Sequence, residues 1–200
     1  FDVVSTGMIL SAEQAALVSD FCEQSAKEGA LVFVDPIMGD EGKLYNGVGE
    51  ETVAHMRKMV AVADCIVPNY TEAAYLADMP YHEDMTEEEA RALTIRLHEM
   101  GAKSVVVTSA KVDGENCVVG YDGTEGEFFR IPFDLIPVRF VGTGDIFAAV
   151  MLGRLVDGVP LQESTHRAMD AVRTMIDRNR DKEDKYLGIP IETCLEVLDE

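Results

Sequence analysis

The chain has 200 residues, 47% hydrophobic and 27% charged, enough for one domain with a substantial core. Its 17 basic and 37 acidic residues give a net charge of -20, a surface that repels nucleic-acid phosphates and anionic lipid, so neither is an expected partner. No run approaches the ~18 apolar residues of a membrane span, and no basic n-region leads into an apolar one. The four cysteines, Cys22, Cys65, Cys117 and Cys194, form no CxxC pair. This argues against a zinc or thioredoxin-like site and for reduced structural thiols in the cytosol.

In chain order, apolar strand patterns alternate with amphipathic helix patterns, the signature of an α/β protein with a largely parallel sheet. Phe1 to Gly7 reads as a strand already under way without an initiator Met, so a preceding segment is expected to be missing. Ser11-Ala12-Glu13-Gln14 reads as a capping box opening a helix with Leu17, Val18, Phe21 and Cys22 on its inward face. Leu31 to Val34 is a buried strand running into Asp35-Pro36-Ile37-Met38-Gly39-Asp40. A glycine-bearing loop follows, then a helix through about Met59. Cys65 to Val67 is a strand ending at Pro68-Asn69, after which Thr71 caps a short helix. Thr86-Glu87-Glu88-Glu89 is a second capping box, and its helix presents Leu93, Leu97 and Met100. Lys103 to Thr108 is the next strand, and 116–133 reads as short strands forming an antiparallel edge. Val141 leads into Gly142-Thr143-Gly144-Asp145 and a helix through Leu155, with helical pattern beyond. No linker or repeat is visible, so residues 1–200 are expected to form a single domain.

Ligands of open parallel α/β sheets bind beyond the carboxyl ends of the strands. Four polar clusters fall just after strands: Asp35 to Asp40, Asn69 to Glu72, Thr108-Ser109, and Gly142 to Asp145. Two glycines around a threonine at a helix start leave backbone N–H groups free to meet an anion. Asp145 in the first turn can take a proton from an acceptor hydroxyl, or can simply stabilise the helix N-terminus. Asp35 and Glu72, on neighbouring loops, suit Mg²⁺ held through water, or serve as turn and cap residues. Thr108 and Ser109 either hydrogen-bond a nucleotide or end the strand. GxxxxGK[ST], GxGxxG and GxSxG are all missing, which argues against Walker NTPases, nicotinamide enzymes and ordinary α/β-hydrolases. His55, His82, His98 and His166 read as surface residues.

Together the clusters resemble those of the pyridoxal kinases within the ribokinase-like superfamily. Asp35 to Asp40, with Gly42 and Tyr45, looks like that family's DPVMGDxGxxY segment. Pro68-Asn69-Tyr70-Thr71-Glu72-Ala73 is similar to its PNxxEA segment, Val107-Thr108-Ser109 to its phosphate-contacting strand end, and Gly142 to Asp145 to its GTGD. The resemblance implies a ribokinase-like fold, a mostly parallel central sheet flanked by helices, with an antiparallel edge. It implies transfer of the ATP γ-phosphate, with Mg²⁺, to the 5′-hydroxyl of pyridoxal, pyridoxine or pyridoxamine. It makes Asp145 the base and acceptor-binding residue, and gives Gly142, Thr143 and Gly144 the charge-stabilising amides. Asp35 and Glu72 would organise Mg²⁺. Asn69, Glu72, Thr108 and Ser109 would line the nucleotide site, with the Arg130 to Phe133 stretch beside the adenine. A cytoplasmic protein that is a homodimer at full length is expected.

The hydroxymethylpyrimidine kinases of thiamine synthesis are the nearest alternative. They typically carry a cysteine after GTG, where this chain has Asp145, and lack the GDxGxxY continuation. Sugar kinases of the superfamily share GTGD but not the DPIMGD-type loop. In the pyridoxal kinases the first strands supply much of the vitamin pocket and some dimer contacts. The 200 residues are therefore expected to keep the nucleotide half and to phosphorylate vitamin B6 poorly. A non-catalytic nucleotide-binding protein on the same fold is the second class of reading.

Overall fold

The computed structural model describes residues 1–198; Asp199 and Glu200 lie outside it. The chain divides into two compact units, Phe1–Phe133 and Asp134–Glu200.

The first unit holds a six-stranded sheet. Its strands are β1 (Val3–Thr6), β2 (Leu31–Val34), β5 (Cys65–Ile66), β6 (Ser104–Val112), β7 (Glu115–Asp122) and β8 (Glu127–Pro132), in the order β1-β2-β5-β6-β7-β8. The four from β1 to β6 run parallel, and β7 and β8 add an antiparallel edge. Val105, Val106 and Val107 are all fully buried, which is why β6 begins as an unbroken apolar run rather than an alternating one. A separate two-stranded hairpin pairs β3 (Gly39–Asp40) with β4 (Lys43–Leu44) through Glu41 and Gly42, at φ 52° and 77°. Two successive positive φ values suit the right-handed twist of the flanking strands.

Four helices belong to this unit: α1 (Ala12–Lys27), α2 (Glu50–Val60), α3 (Tyr70–Ala77) and α4 (Glu87–Glu99). They share one buried cluster with the sheet, in which Cys22, Met56, Met59, Leu76, Leu93 and Leu97 meet Val32, Val34, Ile66, Val105 and Val107. Thr86 and Glu89 form the expected reciprocal cap of α4. At α1 only half the box forms, because Ser11 Oγ accepts from the Gln14 N–H while Gln14 Oε1 accepts from the Leu10 N–H.

Several expectations need correction. The inward stripe of α1 is Ala15, Cys22 and Ser25; Leu17 and Phe21 are 64% and 49% exposed, one helical position off the stripe, and Phe21 meets the Phe1 ring edge-on. His55 is not a surface residue but 4% exposed, on the same face of α2 as Thr52, Met56 and Met59, and its Nδ1 has no hydrogen-bond partner among the described residues. His98 is half-buried, its Nδ1 bonded to the Ala102 carbonyl at 2.8 Å. The cap of α3 is Asn69, not Thr71.

The second unit contains α5 (Thr143–Val156), α6 (Leu161–Asn179) and two short 3₁₀ turns, Ile191–Thr193 and Leu195–Leu198. Segment 180–190 is irregular where a helical continuation was expected. Phe140, Ile146, Ala171, Met175, Ile189, Cys194 and Val197 form its core. All four cysteines are free and buried. No helix among the described residues is long and apolar enough to cross a membrane.

Candidate functional site

In sheet order, β2, β5 and β6 are neighbours, so the segments leaving their carboxyl ends lie side by side. Asp35 follows β2, Asn69 opens α3 after β5, and Thr108 bridges to Asn69 while donating its N–H to the Pro68 carbonyl at 2.9 Å. Glu72, 3% exposed, ties these segments together. Its Oε1 accepts from the Met38 N–H at 2.8 Å and the Gly39 N–H at 3.4 Å, and its Oε2 accepts from the Asn69 N–H at 2.9 Å. Asn69 returns the cap, its Oδ1 accepting from the Glu72 N–H, and its amide donates to the Gly39 carbonyl at 2.8 Å. Gly39 must be glycine, because a Cβ there would fall 2.4 Å from the Lys43 carbonyl oxygen across the hairpin.

Burial pushes the Glu72 carboxyl up to about 7, helped by the charge of Asp35 and opposed by the Met38, Asn69 and Gly39 amides. Glu72 and Asp35 are carboxylate oxygen donors on neighbouring segments, the donor type a hard cation prefers. The chemistry of this donor pair therefore fits Mg²⁺. Three backbone N–H groups already occupy the Glu72 oxygens, which leaves acceptor capacity suited to a water rather than a bidentate grip on metal. Among the described residues no group of three metal-ligating side chains converges.

Thr108 and Ser109 do not end β6, one of the two roles expected of them, but sit inside it at a register shift between Val107 and Ala110. Ser109 is exposed and takes φ 54°, so the bulge turns its side chain out of the ladder. Arg130 is not brought to this cluster. Its guanidinium bonds Glu115 at 2.9 Å, Asp113 at 3.4 Å and the Val112 carbonyl at 2.7 Å, with Glu87 at 3.9 Å. Phe133 closes the β7–β8 edge, donating its N–H to the Asn116 carbonyl at 2.9 Å.

In the second unit, Gly142 takes φ 84° as the N-cap of α5, and no side chain caps this helix. A left-handed residue here costs any other side chain roughly 1–2 kcal/mol, while glycine adopts it freely. Thr143 bonds back to the Phe140 carbonyl at 3.5 Å, and Phe140 anchors the turn in the core. Gly144 faces open space, and Asp145 is exposed in the first turn with its Oδ2 folded toward Gly142. The turn thus presents uncapped helix-start amides next to a carboxylate, which suits an anion together with a proton-bearing group.

Two features had no usable signal in the sequence. Thr71 accepts the Gly42 N–H at 2.8 Å, a contact that only the hairpin creates. A groove of about 330 Å³ in the second unit is lined by Asp134, Ile136, Arg173, Thr174, Asp177 and Arg178. In sequence, its charged side of α6 reads as an ordinary solvated face.

Comparison with known proteins supplies the family context. Residues 1–188 match the phosphomethylpyrimidine kinase family. Pyridoxal kinase of Arabidopsis thaliana is 33% identical over 171 residues, covering 82% of this chain and 53% of the relative. Human pyridoxal kinase is also 33% identical, covering 76% of this chain and 53% of its own length. The chain thus spans about half the length of these relatives. A candidate phosphomethylpyrimidine kinase from Bacteroides thetaiotaomicron, solved with pyridoxal, matches with a TM-score of 0.92 at 33% identity, over 100% of this chain and 71% of that one. Pyridoxal kinase from Lactobacillus plantarum matches with a TM-score of 0.84 at 28% identity, over 100% of this chain and 71% of that one. The architecture is accordingly ribokinase-like, with a mostly parallel sheet and an antiparallel edge.

Proposed function

Because the chain belongs to the phosphomethylpyrimidine kinase family, we propose that it transfers the γ-phosphate of ATP to the 5′-hydroxyl of pyridoxal, pyridoxine or pyridoxamine. The observation that carries the reading is the uncapped start of α5, with Gly142 left-handed and Asp145 exposed beside it. Asp145 takes the hydroxyl proton as the new O–P bond forms and the bond to the β,γ-bridging oxygen breaks, releasing ADP. The amides around Gly142, Thr143 and Gly144 stabilise the negative charge on the transferring group.

Asp35 and Glu72 would hold Mg²⁺ through water, and the ion would supply neutralisation of phosphate charge. Asn69, Thr108 and Ser109 line the nucleotide side of the first unit. The groove between Ile136 and Thr174 has room for a nucleobase and is a better candidate for that role than Arg130, whose charge is already paired. Residues 1–200 act as one kinase domain in this reading, which the family match across residues 1–188 supports. The reading also includes a cytoplasmic site of action and a homodimeric full-length protein, as the resemblance to the pyridoxal kinases implies.

The family's own description names a phosphomethylpyrimidine as acceptor, which keeps hydroxymethylpyrimidine and its phosphate as the second reading. Asp145 after the GTG turn, the GDxGxxY hairpin and the pyridoxal kinase relatives favour vitamin B6. ATP consumption with Mg²⁺, compared across pyridoxal, pyridoxamine and hydroxymethylpyrimidine, separates the two. Slow turnover with the B6 vitamers is the expected result, and turnover with hydroxymethylpyrimidine alone would replace the reading. MgATP binding without turnover on any acceptor would favour a nucleotide-binding protein instead.

A further inference from the structure

A hairpin of two-residue strands is marginal by itself, so its position depends on what fastens it to the rest of the unit. The root of this one is held by Glu72 and Asn69. The tip is held separately. Gly42 donates its N–H to Thr71 Oγ1 at 2.8 Å, and the Tyr81 ring lies so close that a Cβ on Gly42 would come within 3.0 Å of its Cδ1 and Cε1.

Tyr81 rests in turn on Tyr70, with ring centroids 4.8 Å apart and planes 26° from parallel. Tyr70 is 4% exposed, and its hydroxyl accepts from the His82 N–H at 3.0 Å, so it is a fixed base for the stack. Burial and the carboxylates of Asp40, Glu83 and Glu41 push the Tyr81 hydroxyl above its ordinary pKa. Tyr81 itself is 40% exposed and outside the core cluster, so the core does not require it there.

We propose that Tyr81 is a positioning residue: by pressing on Gly42 it fixes the hairpin tip and, through the hairpin, the Asp35–Gly39 segment from which the metal and nucleotide are approached. The inference rests on the kinase reading above. Glu72 sets where the hairpin starts, and Tyr81 sets where it ends. Asp35 is then presented in one orientation rather than several.

The test pairs a structural readout with a kinetic one. Hydrogen exchange of the Gly42 amide should speed up about tenfold or more in Tyr81→Ala, with amides of α3 and β6 unchanged and Tyr81→Phe like the wild type. The KM for MgATP should rise about fivefold while kcat stays within about twofold, again rescued by Tyr81→Phe. Unchanged Gly42 exchange in Tyr81→Ala would overturn the clamp. Faster exchange with an unchanged KM would reduce Tyr81 to a structural contact and overturn its positioning role. The milder Tyr81→Leu, read in the same way, decides the matter if the alanine variant does not fold. A wild-type protein that neither binds nor turns over MgATP would remove the kinase reading and the positioning role with it, while the exchange result still reports on the clamp.

Discussion

The strand-end segments of the first unit and the helix start of the second are built in opposite ways. Around Glu72 the polar groups are buried and used: two carboxylate oxygens meet three backbone N–H groups, and both ends of the Asn69 amide are bonded. At Gly142–Asp145 no side chain caps the helix, and the acid faces solvent. A closed polar cluster answers to mutation mainly through stability, because removing one member leaves buried groups unpaired. An open one answers mainly through chemistry, because nothing in the fold leans on it. The same residue type, an acid in the first turn of a helix, therefore does different work in the two units, after a strand at Glu72 and after the irregular 133–142 segment at Asp145, where a preceding strand was expected.

The widest separation between the two regions should come from Asp145→Asn. Loss of the base should lower kcat roughly a thousandfold with the unfolding midpoint unchanged, measured by ATP turnover beside thermal melting. Glu72→Ala should do the reverse in kind. It strands the Met38, Gly39 and Asn69 amides and should cost about 3 kcal/mol in denaturant unfolding. A Glu72→Ala protein as stable as the wild type would erase the contrast.

The pH dependence sharpens the comparison further. Burial holds the Glu72 carboxyl at about 7 in the fold against its ordinary 4.5, so the folded state binds more protons than the unfolded chain between those values. Stability owed to this group is fully present below about 4.5 and is lost as pH rises through about 7, on the order of 3 kcal/mol at most. Unfolding free energies in chelator across that window should fall for the wild type. They should lack this component in Glu72→Gln, which cannot titrate. The smallest effect expected is Thr86→Ala, which removes the reciprocal cap of α4 and should cost about 1 kcal/mol without touching nucleotide affinity.

Much of this was legible in the residues, and the rest was not for identifiable reasons. The alternation of apolar strands with capped helices placed β2, β5, β6 and α4, because burial on both faces and the Thr86–Glu89 pair leave local marks. The inward face of α1 was misread because Leu17 and Phe21 are apolar but unburied, while the small Ala15 and Ser25 face inward. His55 shows the same failure in reverse, a polar residue on a core face. The bulge at Thr108–Ser109 and the hairpin at Gly39–Leu44 depend on pairings with other segments, which no local pattern announces. Of the candidate site, the acidic and glycine-bearing loops could be read directly. That Glu72 spends its oxygens on backbone amides, and Arg130 its charge on Asp113 and Glu115, could not.

The central claim, phosphoryl transfer to a B6 vitamer with Asp145 as base, is tested most directly by following the formation of pyridoxal 5′-phosphate from pyridoxal and MgATP, wild type against Asp145→Asn. Product from the wild type, with its rate collapsing in a fully folded Asp145→Asn, is the predicted result. Product formed equally by both proteins, or only hydroxymethylpyrimidine phosphorylated, would contradict it.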